Sequence, residues 1–489
     1  MKRIALLILL VTLISLVLES CGPSPSTTQA PLVEPSATAS PTKSVGNADQ
    51  TSSTPEEESI QYPSLQEDNL YEGTTLEVKL SNQLVDNRIG SVAETKNYPP
   101  FLLNDSGTKW SRVIIDPWGS WQQVDWDADE YTIDPSDEKV IDDLVSNDIK
   151  VMLVLDIWHP NSRTVFLKTD EDIAIYTNWV RFMVRHFKGC ITYYEILNEP
   201  DLSFSSPSGM PVDAYVNLVN HTVPVIREED PNAKIVLGAV PDTRWPDARW
   251  WLWDLLNSGV MPLVDGVSWH GMYGAAPSDD PRGIREREPQ VSNYWETYPD
   301  FVEEIKSVAA ANGFEGEFMS EEMIWRTPAY QPHESEPWGF TDISGAKYFA
   351  RAIIIHLGLD VASGLAVVPG DDRPVSYSVI QALSTVMAGA QPEDLPLVIE
   401  SDATNIKYYG FTLPNGEKLL AIWTDGPAVE DDPGILLTLT FPDFSAERVT
   451  GIDILNRFEQ QIVTEDDSGN LVIHGLLVKD YPLILRITP

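Results

Sequence analysis

Three glutamates follow strand-like runs of the sequence, where their carboxyl groups could act as acid, base or nucleophile. Glu199 lies in an Asn-Glu-Pro tripeptide directly after the β-branched and aromatic run 191–197. Glu321 and Glu322 follow a second run that starts at Glu317. An acidic residue at the carboxyl end of a buried parallel strand is where an α/β barrel keeps its chemistry. Two carboxyls on separate strand ends are the groups that hydrolysis of a glycosidic bond requires.

The elements that would position these glutamates alternate between strand-like and helical patterns. Strands are predicted at residues 88–92, 111–115, 151–157, 191–197, 234–240, 264–269, 317–322 and 365–368. Helices are predicted at residues 134–147, 171–187, 211–229, 249–257, 298–312 and 343–357. Eight strands that alternate with helices predict an α/β fold, a (β/α)8 TIM barrel, as a catalytic domain over residues 70–391.

Short alternating strands replace this pattern in the last part of the chain. They are predicted at residues 406–413, 418–424, 435–441, 449–456, 471–474 and 483–487. Asn415-Gly416 separates the first two and is typical of a tight hairpin, because both positions of a type I′ turn need a positive φ. The sequence therefore predicts a small β-sandwich domain over residues 392–489. Residues 70–82 are a further candidate for it, since 75–80 also alternate.

The amino terminus has the features of an export signal. A positively charged start precedes an apolar run over residues 4–18, which is too short for a comfortable transmembrane helix. The run ends at Leu-Glu-Ser-Cys, which resembles the lipobox of bacterial lipoproteins. This resemblance implies a signal peptide at residues 1–21, lipidation of Cys21 and anchoring on the extracytoplasmic side of the bacterial cell envelope. A plain membrane anchor is the alternative.

The segment after Cys21 predicts a tether. Residues 22–69 are rich in Ser, Thr and Pro and hold few aromatic residues. Such a composition cannot bury enough apolar surface to offset the entropy of ordering the chain. We therefore expect a disordered segment that holds the folded part away from the membrane.

Charge and composition exclude several classes of partner. The chain has 33 basic and 74 acidic residues, a formal net charge of −41. Such a charge repels phosphate backbones, so nucleic acid is not predicted as a partner, whereas a neutral polysaccharide would not be repelled. His270, His333 and His356 show no metal-ligand spacing, and no glycine-rich phosphate loop follows a strand. The sequence therefore predicts neither a metal nor a cofactor.

Residues 88–390 resemble the retaining glycoside hydrolases of clan A, nearest to families 39 and 5. The resemblance is carried by Asn-Glu-Pro at the fourth predicted strand and by the glutamates at the seventh. It implies that Glu199 is the general acid/base and that Asn198 binds the sugar 2-hydroxyl. It also implies a substrate that is a neutral oligo- or polysaccharide. A trailing β-sandwich is usual near family 39.

The same resemblance requires a nucleophile at the seventh strand, where Glu321 and Glu322 are adjacent. We favour Glu322, because Trp325 then follows at the clan's usual spacing and would lie in the substrate site. Strand alternation allows only one of the two glutamates to point into the barrel, and Phe318 and Ser320 would share the inward face with Glu322. Glu321 remains the alternative.

Five further residues are candidates for substrate binding. In the resemblance, Arg112 on the second strand pairs with the nucleophile and keeps it ionised. His270 and Tyr273, after the sixth strand, resemble the clan's His and Tyr that contact the substrate. Trp158 and His159 follow the third strand and would lie at the barrel mouth, where a ring and a donor could hold a sugar.

One departure from the clan's pattern favours a rival function. The eighth strand of the clan commonly ends in a Trp that forms the floor of the cleaved sugar's subsite, and residues 364–372 hold none. A non-catalytic carbohydrate-binding surface lipoprotein on a barrel scaffold is therefore the alternative to a glycosidase.

Overall fold

The computed structural model describes residues 61–94, 100–115, 124–125, 130–156, 167, 169–201, 209–241, 243–277, 293–325, 340–366, 368, 370 and 372–489. Among these residues, no helix combines the length and the apolar character needed to cross a bilayer. The signal peptide, Cys21 and residues 22–60 lie outside the described residues, as do Trp158 and His159.

Eight parallel strands close into a barrel, and a helix follows each strand. The strands are β1 Ile89–Glu94, β2 Trp110–Ile114, β3 Lys150–Leu155, β4 Tyr193–Ile196, β5 Lys234–Val240, β6 Gly266–Trp269, β7 Glu317–Ser320 and β8 Val361–Leu365, in that order around the barrel. The helices are α1 Pro100–Ser106, α2 Pro135–Ser146, α3 Asp170–His186, α4 Val212–Glu229, α5 Pro246–Leu256, α6 Tyr294–Ala311, α7 Asp342–Gly358 and α8 Pro374–Val386. The predicted TIM barrel is confirmed.

The eighth strand was placed wrongly by the sequence. It was predicted at 365–368, whereas β8 is Val361–Leu365. Small residues give β8 a weak strand signal, and packing requires one of them. A Cβ added at Gly364 would lie 2.3 Å from the carbonyl oxygen of Glu321, so β8 can approach the end of β7 only with a glycine there.

The barrel interior is layered, and its two described layers differ in chemistry. The layer nearer the amino ends of the strands is mostly apolar and contains Trp110, Met152, Tyr193, Val236, Met319 and Ala362. Two residues further along the chain are Arg112 on β2, Glu195 on β4 and Glu321 directly after β7, which are fully buried. Since side chains alternate along a strand, these three also point inward. A charged layer therefore lies below the carboxyl ends of the strands.

The chain continues into two antiparallel sheets, which confirms the predicted sandwich architecture. The strands are β9 Gln391–Pro392, β10 Val398–Glu400, β11 Ile406–Thr412, β12 Lys418–Thr424, β13 Ile435–Phe441, β14 Arg448–Asp453, β15 Phe458–Ile462, β16 Glu465–Asp467, β17 Asn470–Val478 and β18 Leu483–Thr488. One sheet has the order β15-β14-β18-β12-β11-β9, with Thr74–Thr75 paired to β15 at its edge, and the other has the order β10-β13-β17-β16.

The larger sheet is buried on both faces. In β12, Leu419, Ala421 and Trp423 belong to the hydrophobic core shared with the barrel. Leu420 and Ile422, which alternate with them, belong to the core between the two sheets. A strand covered on both sides reads as a continuous apolar run, as β12 does. The sandwich is therefore packed against the barrel over a hydrophobic face.

Residues 61–69, the end of the predicted tether, contact the sandwich. Leu65 is buried in the core between the sheets. The Gln66 side chain donates hydrogen bonds to the carbonyl oxygens of Val463 at 2.9 Å and His474 at 2.8 Å. The predicted tether end at residue 69 is therefore wrong. Composition gave no sign of it, because a few scattered residues make these contacts, among them Tyr62, whose ring stacks on Phe458.

Two buried cations of α7 fix the sandwich to the barrel. The Lys347 ammonium lies 2.6 Å from Asp480 Oδ1, and Arg351 Nε donates to the Asp480 carbonyl oxygen at 2.7 Å. Asp425 pairs with Arg351 at 3.4 Å. Removing one partner of a buried ion pair leaves an uncompensated charge, which costs far more than the pair itself contributes.

We predict that Asp480→Asn lowers the free energy of unfolding by about 3–5 kcal/mol, because the buried Lys347 then lacks its carboxylate and Arg351 keeps only Asp425. Thermal and urea unfolding measure this loss. Asp431→Asn, an exposed aspartate in the neighbouring loop, is the matched control and should unfold like the unsubstituted protein. Equal stability of the two variants would contradict the role of this ion network.

Candidate active site

The Arg112 guanidinium lies at the centre of the charged layer. Its Nε donates to Glu195 Oε2 at 2.6 Å, one terminal nitrogen donates to Glu322 Oε1 at 2.6 Å and the other to Asn198 Oδ1 at 2.7 Å. Ser268 Oγ donates to the other Glu195 oxygen at 3.1 Å. Burial alone would lower the pKa of Arg112, but Glu195 and the other nearby carboxyls raise it above its usual value. Arg112 on β2 therefore stays charged and joins β4 to the segments that follow β4 and β7.

An unusual backbone path presents Glu199. After β4, Leu197 has φ 63° and Glu199 has φ 47°, values that non-glycine residues adopt rarely. The Glu199 N–H donates to the carbonyl oxygen of Ala239 at 3.1 Å. Ala239 itself has φ 45° and lies where the pairing of β5 with β6 shifts register. The irregularity in β5 thus holds the Glu199 backbone in its left-handed conformation, a form of strain that is concentrated at functional sites.

His270 lies between the glutamates of the two strand ends. Its Nδ1 is 3.2 Å from Glu199 Oε1. Its Nε2 is 3.6 Å from Glu321 Oε1 and 3.9 Å from Glu322 Oε1. Burial opposes the charged imidazole, but Glu322 and Glu199 outweigh it and raise the pKa of His270 above its usual value. The structure therefore brings Glu199, Glu322, Asn198 and Arg112 together around this histidine.

Exposure separates the glutamates into accessible and inaccessible groups. The Glu199 side chain is 27% exposed and the Glu322 side chain is 16% exposed, whereas Glu321 is fully buried. A ligand that enters at the carboxyl ends of the strands can therefore contact Glu199 and Glu322. Glu321 lies beneath them.

The register predicted for β7 is wrong. Met319 belongs to the inner apolar layer. The Phe318 ring instead packs against the Phe314 ring on the outer side of the barrel, with 5.1 Å between the ring centroids. Ser320 Oγ accepts from the Gly271 N–H, also away from the interior. The glutamate that shares the inward face with Met319 is therefore Glu321 and not Glu322. The assumption of strict alternation failed because β7 ends at Ser320, and Glu322, beyond the strand, is free to turn toward Arg112.

Trp325 is a core residue, which corrects its assignment to the substrate site. Its side chain is fully buried, and Nε1 donates to the carbonyl oxygen of Ala275 at 2.7 Å. The ring packs against Tyr348 and Phe349. Tyr273 is partly buried in the turn after β6.

Sequence reasoning missed Glu195, Ser268 and Asp201. Glu195 was visible as an acidic residue within a run otherwise typical of a buried strand, which signals a buried partner of opposite charge. Ser268 had no signal in the sequence beyond its position two residues before His270. Asp201 follows Glu199 by two residues, and burial raises the pKa of Asp201 to about 7, with a further contribution from the Glu199 charge.

A cavity of about 300 Å³ lies at the opposite end of the barrel and is not the candidate site. Charged side chains at the rim of this cavity form ion pairs with one another: Lys150 pairs with Asp86, and Arg88 pairs with Asp360. Barrel enzymes keep their chemistry at the carboxyl ends of the strands, where the Arg112 cluster lies.

Comparisons with solved structures relate this fold to glycoside hydrolases. A family 39 glycoside hydrolase from Bacteroides cellulosilyticus matches with a TM-score of 0.61 and 15% identity over 84% of this chain and 83% of the other. CelM2, a bifunctional glucanase-xylanase from a metagenome library, has a TM-score of 0.55 and 12% identity over 85% of this chain and 99% of its own. A glucosidase from Croceicoccus marinus has a TM-score of 0.53 and 15% identity over 85% of this chain and 98% of its own.

At these identities the likeness shows a shared fold. No protein-family model matches the sequence, and no curated protein matches it. The structural neighbours are glycoside hydrolases with the same closed parallel barrel, and one of them is from family 39, as the sequence resemblance implied.

We predict that Asp201→Asn becomes more stable relative to the unsubstituted protein as the pH rises from about 4 to about 7. The raised pKa of Asp201 means that its stability contribution is present below the unfolded pKa of about 4 and is lost as the pH rises to about 7. The relative gain in melting temperature should be about 2–4 °C. Asp254→Asn, exposed on α5, is the control. A relative stability of Asp201→Asn that does not change with pH would contradict the prediction.

Proposed function

We propose that this protein is a retaining glycosidase that hydrolyses O-glycosidic bonds of a neutral oligo- or polysaccharide. The observation that carries the proposal is the pairing of the partly exposed Glu322 with the buried Arg112, while Glu199 faces it across His270. The pair supplies one carboxylate held as an anion and one carboxyl at a second strand end. These are the two groups that double displacement needs.

In the proposed mechanism, Glu322 attacks the anomeric carbon while Glu199 gives its proton to the leaving glycosidic oxygen. The bond to the leaving group breaks, and a glycosyl ester forms on Glu322. Glu199, now a carboxylate, takes a proton from water, whose oxygen attacks the anomeric carbon and releases Glu322. This mechanism places the two carboxyls about 5–5.5 Å apart and gives net retention of configuration. It requires neither a metal nor a cofactor.

The net charge of the chain and the Asn198 side chain both bear on the class of substrate. The net charge of −41 disfavours polyanionic substrates, so a neutral glycan is proposed. The Asn198 side-chain oxygen accepts from Arg112, which leaves the amide nitrogen as the side-chain group that would contact a ligand, and the described residues show no hydrogen bond to it. That nitrogen would donate to the sugar 2-hydroxyl, a contact that strengthens as positive charge develops on the ring.

A non-catalytic carbohydrate-binding lipoprotein is the second candidate function. The absence of a Trp from residues 364–372, at the end of β8, favours it, because a catalytic subsite then lacks the aromatic floor on which the sugar would stack. The accessible Glu322 on Arg112 favours the enzyme, because recognition alone does not require an anion held at the base of the cleft.

We further propose that Cys21 carries lipid and anchors the protein to the extracytoplasmic side of the bacterial cell envelope. The proposal rests on the export signal and the lipobox-like residues 18–21. Incorporation of a labelled fatty acid in a bacterial host, lost on Cys21→Ala, would support it. Equal labelling of both proteins would contradict it.

We predict that a screen of aryl glycosides and neutral polysaccharides finds a substrate whose turnover falls at least about 10³-fold in Glu199→Gln. The amide cannot donate a proton to the leaving group or take one from water. For a natural glycan, NMR of the first-formed product anomer should show retention. Binding without turnover would favour the second candidate function, and an inverted first product would exclude the double displacement.

A further inference from the structure

Glu321 is a fully buried carboxyl that the proposed reaction does not use. It lies in the same layer as Arg112 and Glu195, and its side chain is fully enclosed. No N–H or O–H group of the described residues donates to either of its oxygens. An ionised carboxylate in this position would be a buried charge without a hydrogen bond, which proteins avoid because desolvation is so costly.

The donors of Arg112 are directed elsewhere. Nε and the two terminal nitrogens bond Glu195, Glu322 and Asn198. One guanidinium already balances two carboxylates with the help of His270. A third carboxylate on Glu321 would add a negative charge next to Glu195, and two buried carboxyls in contact cannot both ionise.

Glu321 and Glu195 are both fully buried in the same layer, and Glu195 raises the pKa of Glu321 through its charge and through a side-chain hydrogen bond. Since Glu195 accepts from Arg112 and Ser268, it is held as the anion of this pair. A proton shared by the two carboxyls therefore belongs on Glu321. That proton gives Glu321 a hydrogen bond, which its oxygens otherwise lack among the described residues.

We propose that Glu321 is a protonated, neutral carboxylic acid that donates its O–H to Glu195 and so acts as a positioning residue for Arg112. The hydrogen bond from Glu321 holds Glu195 against Nε of Arg112. One terminal nitrogen of Arg112 then remains for Glu322. Its effect on catalysis rests on the proposed function, whereas its protonation state does not. Two adjacent glutamates at the end of β7 thus have different tasks: one is the exposed anion and the other the buried acid.

The groups that face Glu321 agree with this assignment. Burial, and after it Glu195, raises the pKa of Glu321 well above its usual range, and Glu322 acts in the same direction. Arg112 on β2 opposes the shift, and His270 Nε2 from β6 is 3.6 Å away. Tyr215 on α4 is also near, with its hydroxyl donating to the carbonyl oxygen of Ile196. On the β8 side the neighbour is Gly364, which carries no charge.

Infrared difference spectroscopy of the full-length protein at neutral pH tests the protonation state without any substrate. The spectrum of the unsubstituted protein minus that of Glu321→Gln should contain the carbonyl band of a protonated carboxyl. Glu317→Gln is the matched control, since Glu317 is on the same strand but half exposed and paired with Lys234. Besides the amide bands of the introduced glutamine, its difference spectrum should contain carboxylate bands and no band of a protonated carboxyl. A carboxylate band for Glu321 would overturn the proposal, even if the protein is an active glycosidase.

Thermal unfolding gives a second readout with a defined sign. A raised native pKa means that the stability contributed by Glu321 is present below the unfolded pKa of about 4.3 and falls as the pH rises. Glu321→Gln should therefore gain melting temperature relative to the unsubstituted protein between pH 4.5 and pH 8, by about 2–4 °C. A relative melting temperature that is constant over this range would overturn the proposal.

Kinetic measurements test the positioning role by comparing a neutral replacement of Glu321 that can donate a hydrogen bond with one that cannot. Glu321→Gln, which can still donate to Glu195, should lose less than about tenfold in kcat/KM, whereas Glu321→Leu should lose more and shift the acidic limb of the pH profile. Glu321→Gln as inactive as Glu322→Gln would overturn the positioning role. Failure of both neutral variants to fold would also overturn it, because a neutral acid can be replaced by a neutral side chain. An absence of turnover in every protein, with the infrared band present, would refute only the proposed function.

Discussion

The buried guanidinium of Arg112 is the constraint on which the candidate site depends. A cation with no exposure to water is stable only when all its donors are satisfied, because its desolvation costs several kcal/mol. Its partners, Glu195, Asn198 and Glu322, come from two other strands and the segments after them. Only a closed barrel brings these residues within reach of β2. The fold and the charge pattern therefore require each other.

The sandwich acts on the barrel from the helical side and not at the strand ends. Lys347 and Arg351 on α7 are nearly as buried as Arg112, and carboxylates of the sandwich loops neutralise them. Together with the apolar face of β12, these pairs make the sandwich a required cover of α7. The same principle thus operates twice: a buried cation on one element specifies which other element must pack against it.

Sequence reasoning identified the strands whose signal is strong and missed features set by contact between strands. The limits predicted for β5 match those observed, because that run is continuously apolar. β8 was displaced, because Gly364 and its small neighbours are dictated by the approach of β7, which local propensity does not contain. Arg112, Asn198 and Glu199 could be named from motif and spacing. The inward register of Glu321 could not, because it depends on where β7 ends, and strand ends are the least certain part of such a prediction.

The central claim is that Arg112 leaves Glu322 as the accessible anion while Glu321 remains a buried acid. Trapping of the glycosyl ester tests it most directly. The protein is incubated with a 2-deoxy-2-fluoro aryl glycoside of the sugar that it cleaves, digested with a protease, and the labelled peptide is sequenced by mass spectrometry. We expect the fluorosugar on Glu322. A fluorosugar on Glu321, or turnover of the natural substrate with no trapped ester on any glutamate, would contradict the account.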